Sequence, residues 1–530
     1  MKKRIAVLMT LALTCGLLAG CGGGGESTGG DAAGGGAAGG SSTAGTEAGG
    51  SGSDSGEAGS AGTDVSLADQ EEVDLTFVYI VSGTFADQEM VNEEIARLAK
   101  EQLNVNLTVM PMTLNEALQQ ISLMVSAGES IDVFPAWAMN IASFVDSGYV
   151  LDLTDYVDNM PNTLQWVGKE DVECCNVGGY IWGVTTMRER CNPQAVEMRT
   201  DILNELGIKP EDIKTLDDIT NVFAQVKEAY PDMVVLGGAS TEGLGNAGDM
   251  AYICDPLNDE LGVLDNFGEE LTVVNEFETE YWMNLVKTAR EWYEAGYISK
   301  DMPTSTDAGA TLMMAGNLFA YMDNYKPNSA AEKKSLTGMD NSTIPITQPL
   351  SHTTSVSGLG YSVNGVSPHP DRAVQLLDWI IGSPEVNDLM NFGIEGVHWV
   401  ENEEGTASFP EGVDPTNCGY HLDWGWALPN QFAGHLWEGN DLDLYEQYQE
   451  WRASAPKSAA YGFSFDSSPV TDEVIACKAV LDEYLPPITT GSVDPEEAVA
   501  EMNQALYDAG LQTVMDEKQR QLDEWAAAQE

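Results

Sequence analysis

Strands and helices alternate at the start of the folded part of this chain, and this alternation constrains the fold more than any other feature. Residues 75–81 are rich in β-branched and aromatic side chains and predict a strand, and apolar residues at helical spacing follow them. Residues 105–110 alternate like a second strand, a second helix ends at Gly128, and residues 131–134 predict a short buried strand. This order within about sixty residues indicates βαβ units and a parallel sheet, so the fold class is α/β.

Later segments continue in the same style. An amphipathic helix over residues 372–381 ends at Gly382, and Ser383-Pro384 supplies an N-cap and a first-turn proline for the next helix. Asp494-Pro495 begins a further helix that Gly510 ends. We find no internal repeat with a period of 20–50 residues.

The N-terminus carries the pattern of an export signal. Three basic residues precede an apolar stretch over residues 5–18, which is too short to span a bilayer as a folded helix. Leu18-Ala19-Gly20-Cys21 then resembles a bacterial lipobox, which implies cleavage before Cys21 and lipid on its sulfur. The alternative is an ordinary secretory signal with a chance cysteine. We predict that residues 1–20 are a lipoprotein signal peptide and that Cys21 anchors the chain on the extracytoplasmic face of the cell membrane.

The next segment is a spacer by composition. Residues 22–61 are almost entirely Gly, Ser, Ala and Thr with scattered acids, too few apolar side chains to offset the entropy of ordering. We therefore predict a lipidated cysteine and disordered linker over residues 21–70, with a mean reach of roughly 35–42 Å.

Composition limits the partners of the remaining chain. The full sequence has 24 basic and 84 acidic residues, a formal charge of −60, which disfavours nucleic acid as a partner. Residues 71–530 are long enough for two ordinary domains, and no second stretch is apolar enough to span a membrane. The cysteine spacing fits no zinc pattern, and we expect mostly buried free thiols, no cofactor and no metal.

Several stretches, in order, resemble the extracellular solute-binding proteins of ABC importers, carbohydrate-type family 1. The stretches that carry this resemblance are Ser126-Ala127-Gly128-Glu129-Ser130-Ile131-Asp132-Val133, Gly179-Tyr180-Ile181-Trp182-Gly183-Val184, Met198-Arg199-Thr200-Asp201-Ile202-Leu203-Asn204-Glu205-Leu206-Gly207 and Gly316-Asn317-Leu318-Phe319-Ala320-Tyr321-Met322. The C-terminal third is similar to the LipO-like subfamily, whose C-terminal domain is of uncharacterised function. Its signature corresponds here to Asn391-Phe392-Gly393-Ile394-Glu395-Gly396-Val397-His398-Trp399, with Val397 where the subfamily often has Lys.

The resemblance implies a two-lobed periplasmic-binding-protein-like type II fold, with a hinge between the lobes and the ligand in the interlobe cleft. It assigns residues 71–185 and 352–460 to the first lobe, and residues 186–351 and 461–530 to the second. General rules are consistent with this implied fold. Open parallel sheets bind ligands beyond the carboxyl ends of their strands, and two such lobes can close around a solute.

We expect the substrate-binding residues to follow strands that end at the cleft. In the first lobe, Thr84 follows the first strand in a loop whose amides can face a ligand, or in a plain turn; Trp137 and Asn140 follow the third strand and can meet a sugar ring and its hydroxyls. Asp323 and Tyr325 follow a strand of the second lobe, on a loop that in the family reaches the ligand.

Five more candidates lie near the expected hinge, in the subfamily signature or in a C-terminal loop. Arg188, near the expected hinge, can donate to ligand oxygens or pair with an acid. Glu395, His398 and Trp399 belong to the subfamily signature, where a structural hydrogen bond is the stronger expectation for His398. Asp466 can accept from hydroxyls or cap a loop. Of Trp424, Trp426 and Trp437 we expect one to be a ligand platform.

These features predict a binding subunit and no enzyme. We expect it to act as a monomer that captures a mono- or oligosaccharide and delivers it to ABC permease subunits. Two alternatives stay open: a lipoprotein that binds a peptide or an amine for an ABC importer, since acidic charge and aromatic rings suit a cation, and a secreted glycosidase with two carboxylates across the cleft.

Overall fold

The computed structural model describes residues 66–138, 141–246 and 253–529, so Cys21, the signal peptide and Asn140 lie outside the described residues. Residues 64–530 form one compact unit. None of the helices described in it is long and apolar enough to cross a membrane. The strands are β1 Val73–Val81, β2 Val105–Thr113, β3 Val133–Ala136, β4 Asn176–Val177, β5 Tyr180–Ile181, β6 Val184–Thr185, β7 Gln194–Arg199, β8 Val234–Leu236, β9 Val263–Leu264, β10 Val273–Val274, β11 Leu318–Asn324, β12 Asn341–Pro345, β13 Gly360–Val363, β14 Val400–Glu401 and β15 Ala407–Ser408.

The described α-helices lie mostly between or after these strands. They are α1 Gln88–Leu103, α2 Leu114–Ala127, α3 Ile141–Asp146, α4 Pro161–Trp166, α5 Lys169–Glu173, α6 Thr200–Glu205, α7 Leu216–Ala229, α8 Glu280–Glu294, α9 Gly309–Met314, α10 Ser329–Thr337, α11 Thr353–Ser357, α12 Pro370–Gly382, α13 Pro384–Phe392, α14 Leu444–Ser454, α15 Thr471–Thr489, α16 Pro495–Ala509 and α17 Leu511–Gln529.

Two central sheets organise the molecule. The first has the order β2-β1-β3-β13-β6, with β1 parallel to β2 and β3, so the predicted βαβ start is confirmed. Strand β13 runs antiparallel to β3 and β6. The second sheet has the order β12-β7-β11-β8 and is mixed, because β7 runs antiparallel to both neighbours while β11 and β8 are parallel.

Each sheet has its own hydrophobic cores, and the chain passes between them three times. Buried apolar residues between positions 73 and 187 cluster with residues 359–448 on the two faces of the first sheet, and residues 196–346 cluster with residues 460–522 against the second. The connections are β6 to β7, β12 to α11, and α14 to α15. We call these bodies the first and second lobes; the segment limits given above stay predictions.

Local signals explain where helices begin and end. Helix α1 buries Val91, Ile95 and Leu98 as its spacing predicts, and Gly128 adopts the left-handed conformation that ends α2. The Ser383 hydroxyl accepts a hydrogen bond from Val386 N, as expected of an N-cap. Asp87 precedes α1, where an aspartate commonly caps a helix, but its side chain makes no capping hydrogen bond and its carboxylate contacts His398 instead.

The C-terminal helices complete the second lobe. Leu506, Val514 and Leu522 are fully buried in its core, and Lys518 on α17 is also fully buried. The Lys518 ammonium pairs with Asp259 and donates to the Gly262 carbonyl at 2.9 Å. The six cysteines in the described part are all free thiols, and all but Cys418 are buried, which confirms the prediction made for them.

Candidate functional site

The first lobe presents the carboxyl ends of three parallel strands at one edge of its sheet. Thr84 is exposed in the loop after β1. Trp137, directly after β3, is only 8% exposed and packs in an apolar cluster with Trp182 and Ile141. Thr84 is therefore accessible to solvent at this edge, whereas Trp137 is part of the hydrophobic core next to it. Contact of either residue with a ligand stays a prediction.

A pair of tryptophans lies on the same cluster and is better exposed. Trp424 and Trp426 are each partly exposed, with ring centroids 5.5 Å apart and ring planes inclined by 42°. Both pack against the cluster that contains Trp137. We call them the tryptophan pair. Two adjoining aromatic faces with an apolar support below can stack on a flat apolar surface.

The loop that carries the tryptophan pair is held by buried hydrogen bonds. The Asn391 side chain accepts from Trp424 N at 3.0 Å, and its carbonyl accepts from Leu422 N at 2.9 Å. Tyr420 is fully buried, donates to the Met390 carbonyl at 2.6 Å and packs its ring 4.7 Å from that of Phe85. The loop is thus fixed between α13 and the segment after β1.

The second lobe presents an acidic rim. The parallel strands β8 and β11 end at one edge, and a cavity of about 300 Å³ opens there beside Glu242, Asp323 and Asn324. Burial raises the pKa of Glu242, although its carboxylate accepts from Gly309 N at 2.9 Å. A Cβ on Gly309 would lie 2.2 Å from that of Tyr321, so only glycine permits this close packing. We call Glu242 and Asp323 the acidic rim.

A carboxyl group is buried beneath the rim. Glu197 on β7 is paired with Tyr321 on β11 and with Thr343 on β12, so the three side chains share one face of the sheet. Glu197 is fully buried, and burial raises its pKa to about 7.

A chain of ion pairs connects the rim to a connection between the lobes. Asp323 pairs with Lys333 at 2.9 Å, and Glu332 lies between Lys333 at 3.2 Å and Lys326 at 2.6 Å. Lys326 reaches Glu189, which lies between β6 and β7, at 2.8 Å. Burial raises the pKa of Glu189, but Lys326, Arg188 and Gln431 together outweigh burial and the net pKa is lowered. Glu189 also accepts from Gln431 of the first lobe at 2.6 Å.

The charges of this chain of ion pairs also act on the residue that precedes the tryptophan pair. Asp423 immediately precedes Trp424; it is accessible to solvent but surrounded by neighbouring atoms, and this desolvation raises its pKa. Glu332 of the second lobe adds to the rise in pKa and Lys326 opposes it. We predict that the tryptophan pair and the acidic rim border one interlobe cleft.

Two of the three candidate residues in the subfamily signature are buried within the first lobe. His398 is 1% exposed; its Nδ1 accepts from Ile394 N at 2.9 Å and its Nε2 lies 3.2 Å from Asp87 Oδ2. Trp399 is 4% exposed and donates to the Gly393 carbonyl at 3.0 Å. Glu395 is exposed on the same turn. The structural hydrogen bond expected of His398 is present, and ligand contact by Glu395, His398 and Trp399 stays a prediction.

The remaining predicted residues divide between the cleft and the periphery. Tyr325 is partly exposed beside the ion-pair chain, with its ring 5.5 Å from that of Trp451. Arg188 is partly exposed next to Glu189, whose pKa its charge also lowers. Asp466 accepts from Ser468 N at 3.0 Å, the loop-capping role considered for it. Asp323, Tyr325 and Arg188 thus lie in one neighbourhood of the described structure.

Sequence reasoning missed several residues of this cleft. Glu242, Lys326 and Glu189 lie in segments without a recognisable motif, and each depends on contacts across more than 60 positions or between lobes. The tryptophan-rich stretch was a usable signal, since one ligand platform was expected in it. The structure presents Trp424 and Trp426 together and packs Trp437 against Phe392, with ring centroids 5.1 Å apart.

The chain matches the bacterial extracellular solute-binding protein family over residues 94–395, more than half of its length. It belongs to that family. Residues 459–527 match a domain of unknown function, DUF3502. As a solute-binding protein the chain acts outside the cytoplasm and is not an enzyme, and the residues that match DUF3502 are those that complete the core of its second lobe.

Relatives and solved structures agree with this assignment. A carbohydrate ABC transporter substrate-binding protein of Streptococcus pneumoniae serotype 4 is 24% identical over 436 residues, 81% of this chain and 86% of that protein. The polygalacturonan/rhamnogalacturonan-binding protein YtcQ of Bacillus subtilis is 24% identical over 63% of this chain and 68% of its own length. The crystal structure of the N-glycan transport solute-binding protein NgtS from Streptococcus pneumoniae superposes with a TM-score of 0.75 at 21% identity, covering 87% of this chain and all of that one. The two-lobed, periplasmic-binding-protein-like fold is thereby confirmed.

Proposed function

We propose that this solute-binding protein captures a mono- or oligosaccharide in the cleft between the tryptophan pair and the acidic rim, and delivers it to the permease of an ABC importer. The observation that carries this proposal is the partly exposed Trp424–Trp426 pair of the first lobe, and we place the carboxylates Glu242 and Asp323 of the second lobe across the cleft from it. A sugar has apolar C–H faces and a ring of hydroxyl groups, and these two surfaces match both.

The comparisons support a carbohydrate. The relative from Streptococcus pneumoniae is named for carbohydrate transport, YtcQ for binding polygalacturonan and rhamnogalacturonan, and NgtS has been crystallised with Man1GlcNAc. The family assignment sets aside the secreted glycosidase. It leaves the peptide or amine alternative, which the acidic rim also suits.

A thermal-shift panel tests the choice of ligand. We would compare mannose- and N-acetylglucosamine-containing oligosaccharides with triglycine and with spermidine at equal concentrations. A ligand at 100 times its Kd stabilises the folded protein by about 2.7 kcal/mol, which is readily measured as a rise in Tm. A rise with spermidine or triglycine and none with any sugar would replace the carbohydrate proposal by the alternative.

Small-angle scattering tests the mechanism. A cleft between two lobes should close on its ligand by rotation about the three connections, giving a smaller radius of gyration at saturation. An unchanged scattering curve with a saturating ligand would contradict closure. We expect one protomer to suffice, so the molecular mass from the same data should be that of a monomer.

We also propose that the chain is lipid-anchored through Cys21 and joined to its folded body by the linker. The support is the lipobox-like sequence alone. Cys21→Ser should abolish lipid attachment and move the protein from the detergent phase to the aqueous phase in a partition assay. Equal partition of both proteins would overturn the anchor.

A further inference from the structure

A second cavity, of about 430 Å³, lies where all three connections between the lobes meet. Arg190 and Cys191 come from the connection between β6 and β7, Ser351 from that between β12 and α11, and Lys457 and Tyr461 from that between α14 and α15. We call this the crossing cavity. Its volume is in the range of small-molecule sites.

The charge of the crossing cavity is opposite to that of the protein. In a chain of net charge −60, the described residues that line it include Arg190, Arg452 and Lys457 against a single carboxylate, Asp171. Lys457 is neutralised from outside the lining by Glu170 at 2.5 Å. The two guanidinium groups therefore share Asp171, at 2.7 and 2.8 Å, which leaves one positive charge uncompensated.

The two arginines also have more donors than acceptors. Arg190 Nε is buried without a hydrogen-bond partner among the described residues, and Arg190 is only 3% exposed. Arg452 Nη1 has the Met187 sulfur at 3.8 Å as its partner, and a thioether is a weak acceptor. Burial, and then the charge of Arg190, lowers the pKa of Arg452 to about 10. Burial raises the pKa of Asp171, but Arg190, Tyr461 and Arg452 outweigh it, so the pKa is lowered and Asp171 stays ionised.

We propose that the crossing cavity is a second ligand site, distinct from the sugar cleft, which binds the carboxylate of a small acid on Arg190 and Arg452. A carboxylate supplies the missing negative charge and the planar pair of acceptors that a guanidinium fork matches. Because the site is built from all three connections, an acid bound there ties together the segments about which the lobes move. Trp166 on the same lining offers an apolar face to the rest of the acid.

The experiment is a titration of the purified protein with galacturonate, acetate and galactose, followed by Tm. Galacturonate and acetate supply the same carboxylate from a sugar acid and from a simple acid, and galactose is the neutral control. We expect galacturonate to raise Tm, and Arg452→Gln to weaken this response roughly 10- to 100-fold, as for a lost hydrogen bond to a charged group. A matching response to acetate would assign the site to small carboxylates in general; its absence would assign it to sugar acids.

Two further variants keep the result interpretable. Arg97→Gln removes an exposed arginine whose partners are Glu94 and Glu101, and should leave the response unchanged. If Arg452→Gln does not fold, Arg452→Lys keeps the positive charge beside Asp171 but not the guanidinium fork, and it is expected to weaken acid binding with less effect on folding. No response of the wild-type protein to either acid, or equal responses of wild type and folded variant, would overturn the site. Neither result bears on binding of neutral sugars in the cleft, which the thermal-shift panel measures separately.

Discussion

The signature segment, residues 391–399, and the loop of the tryptophan pair, residues 422–426, are neighbours with opposite properties. The signature most specifically identifies the subfamily, yet His398 and Trp399 are almost completely buried and hydrogen-bonded within the first lobe. The loop has no motif, yet Trp424 and Trp426 are partly exposed. The most recognisable residues therefore build the support, and less recognisable ones form the surface available to a ligand.

Asn391 joins the two regions. It begins the signature, and its side chain and carbonyl hold Trp424 N and Leu422 N. The signature can thus influence binding without touching a ligand, through the position of the loop. Substitutions at buried signature residues should therefore change mainly the free energy of unfolding. Substitutions in the loop should change mainly the affinity for the ligand.

The largest effect is expected from Trp399→Ala. Removing a buried tryptophan leaves a cavity among Phe392, Ala407 and Trp437 and should lower the free energy of unfolding by about 3–5 kcal/mol, measured by denaturant titration. Glu395→Ala, an exposed position in the same signature, serves as the control and should stay within about 0.5 kcal/mol. A stable Trp399→Ala protein with lost sugar binding would reverse our assignment of the signature.

Glu197→Gln sharpens the same contrast in the second lobe, where Asp323 is at the rim and Glu197 is buried below it. Burial raises the pKa of Glu197 to about 7 from an ordinary value of 4.5. The stabilisation that protonated Glu197 gives the folded state is fully present below pH 4.5 and is lost as the pH rises through 7. Above pH 7, ionisation of this buried carboxyl group therefore lowers the free energy of unfolding by on the order of 3 kcal/mol. The variant should be more stable than wild type at pH 8 and about equal at pH 4. If the difference in the free energy of unfolding between variant and wild type is the same at pH 4 and at pH 8, the prediction is contradicted.

Trp424→Ala tests the exposed side of the comparison. Losing half of the tryptophan pair should weaken sugar binding by about 1–3 kcal/mol, roughly 5- to 150-fold in Kd by calorimetry, with little change in Tm. Trp437→Ala is the matched control, because this tryptophan packs on Phe392. It should lower Tm and leave Kd nearly unchanged; the opposite pattern would exchange the roles of the two residues.

Asn391→Ala should have the smallest effect on affinity. It removes the acceptor for Trp424 N and lets the loop relax, weakening binding by roughly 3- to 10-fold. Asn391→Asp retains a carboxylate oxygen as acceptor and should bind nearly as wild type. If the two variants bind equally, the loop does not depend on this hydrogen bond.

Sequence predicted the fold well where local rules decide it. The spacing of apolar residues identified the buried face of α1, and glycine and proline residues located the ends of α2, α12 and α13. These predictions succeeded because the signals act within a few residues. Even there, spacing alone does not decide burial: Leu118 of α2 is 39% exposed while Ile121 and Val125 of the same helix are buried, because the position of α2 on the sheet decides which of its apolar residues are covered.

The site was less predictable because it depends on contacts between distant segments. Asp323 was predicted from a topological rule, that polar residues near the end of a strand face a ligand; in the structure it lies within β11, one residue before the strand ends. Glu242 needs Gly309, 67 positions away, to hold its carboxylate, and Glu189 needs Lys326, 137 positions away. Trp137 and Trp426 cannot be distinguished as support and surface by residue type; their exposure follows from packing of the loop after α13.

The burial of Lys518 against Asp259 has a consequence for the time course of folding. The two residues are 259 positions apart, and Lys518 lies on α17, which follows the other described helices along the chain. The first lobe has nearly all of its described partners once α14 is made, whereas the second has an incomplete core and an unmatched Asp259 until α17 is made. We expect a chain truncated before Leu511 to keep a protease-resistant first lobe and a readily digested second one, which limited proteolysis of the two proteins would show.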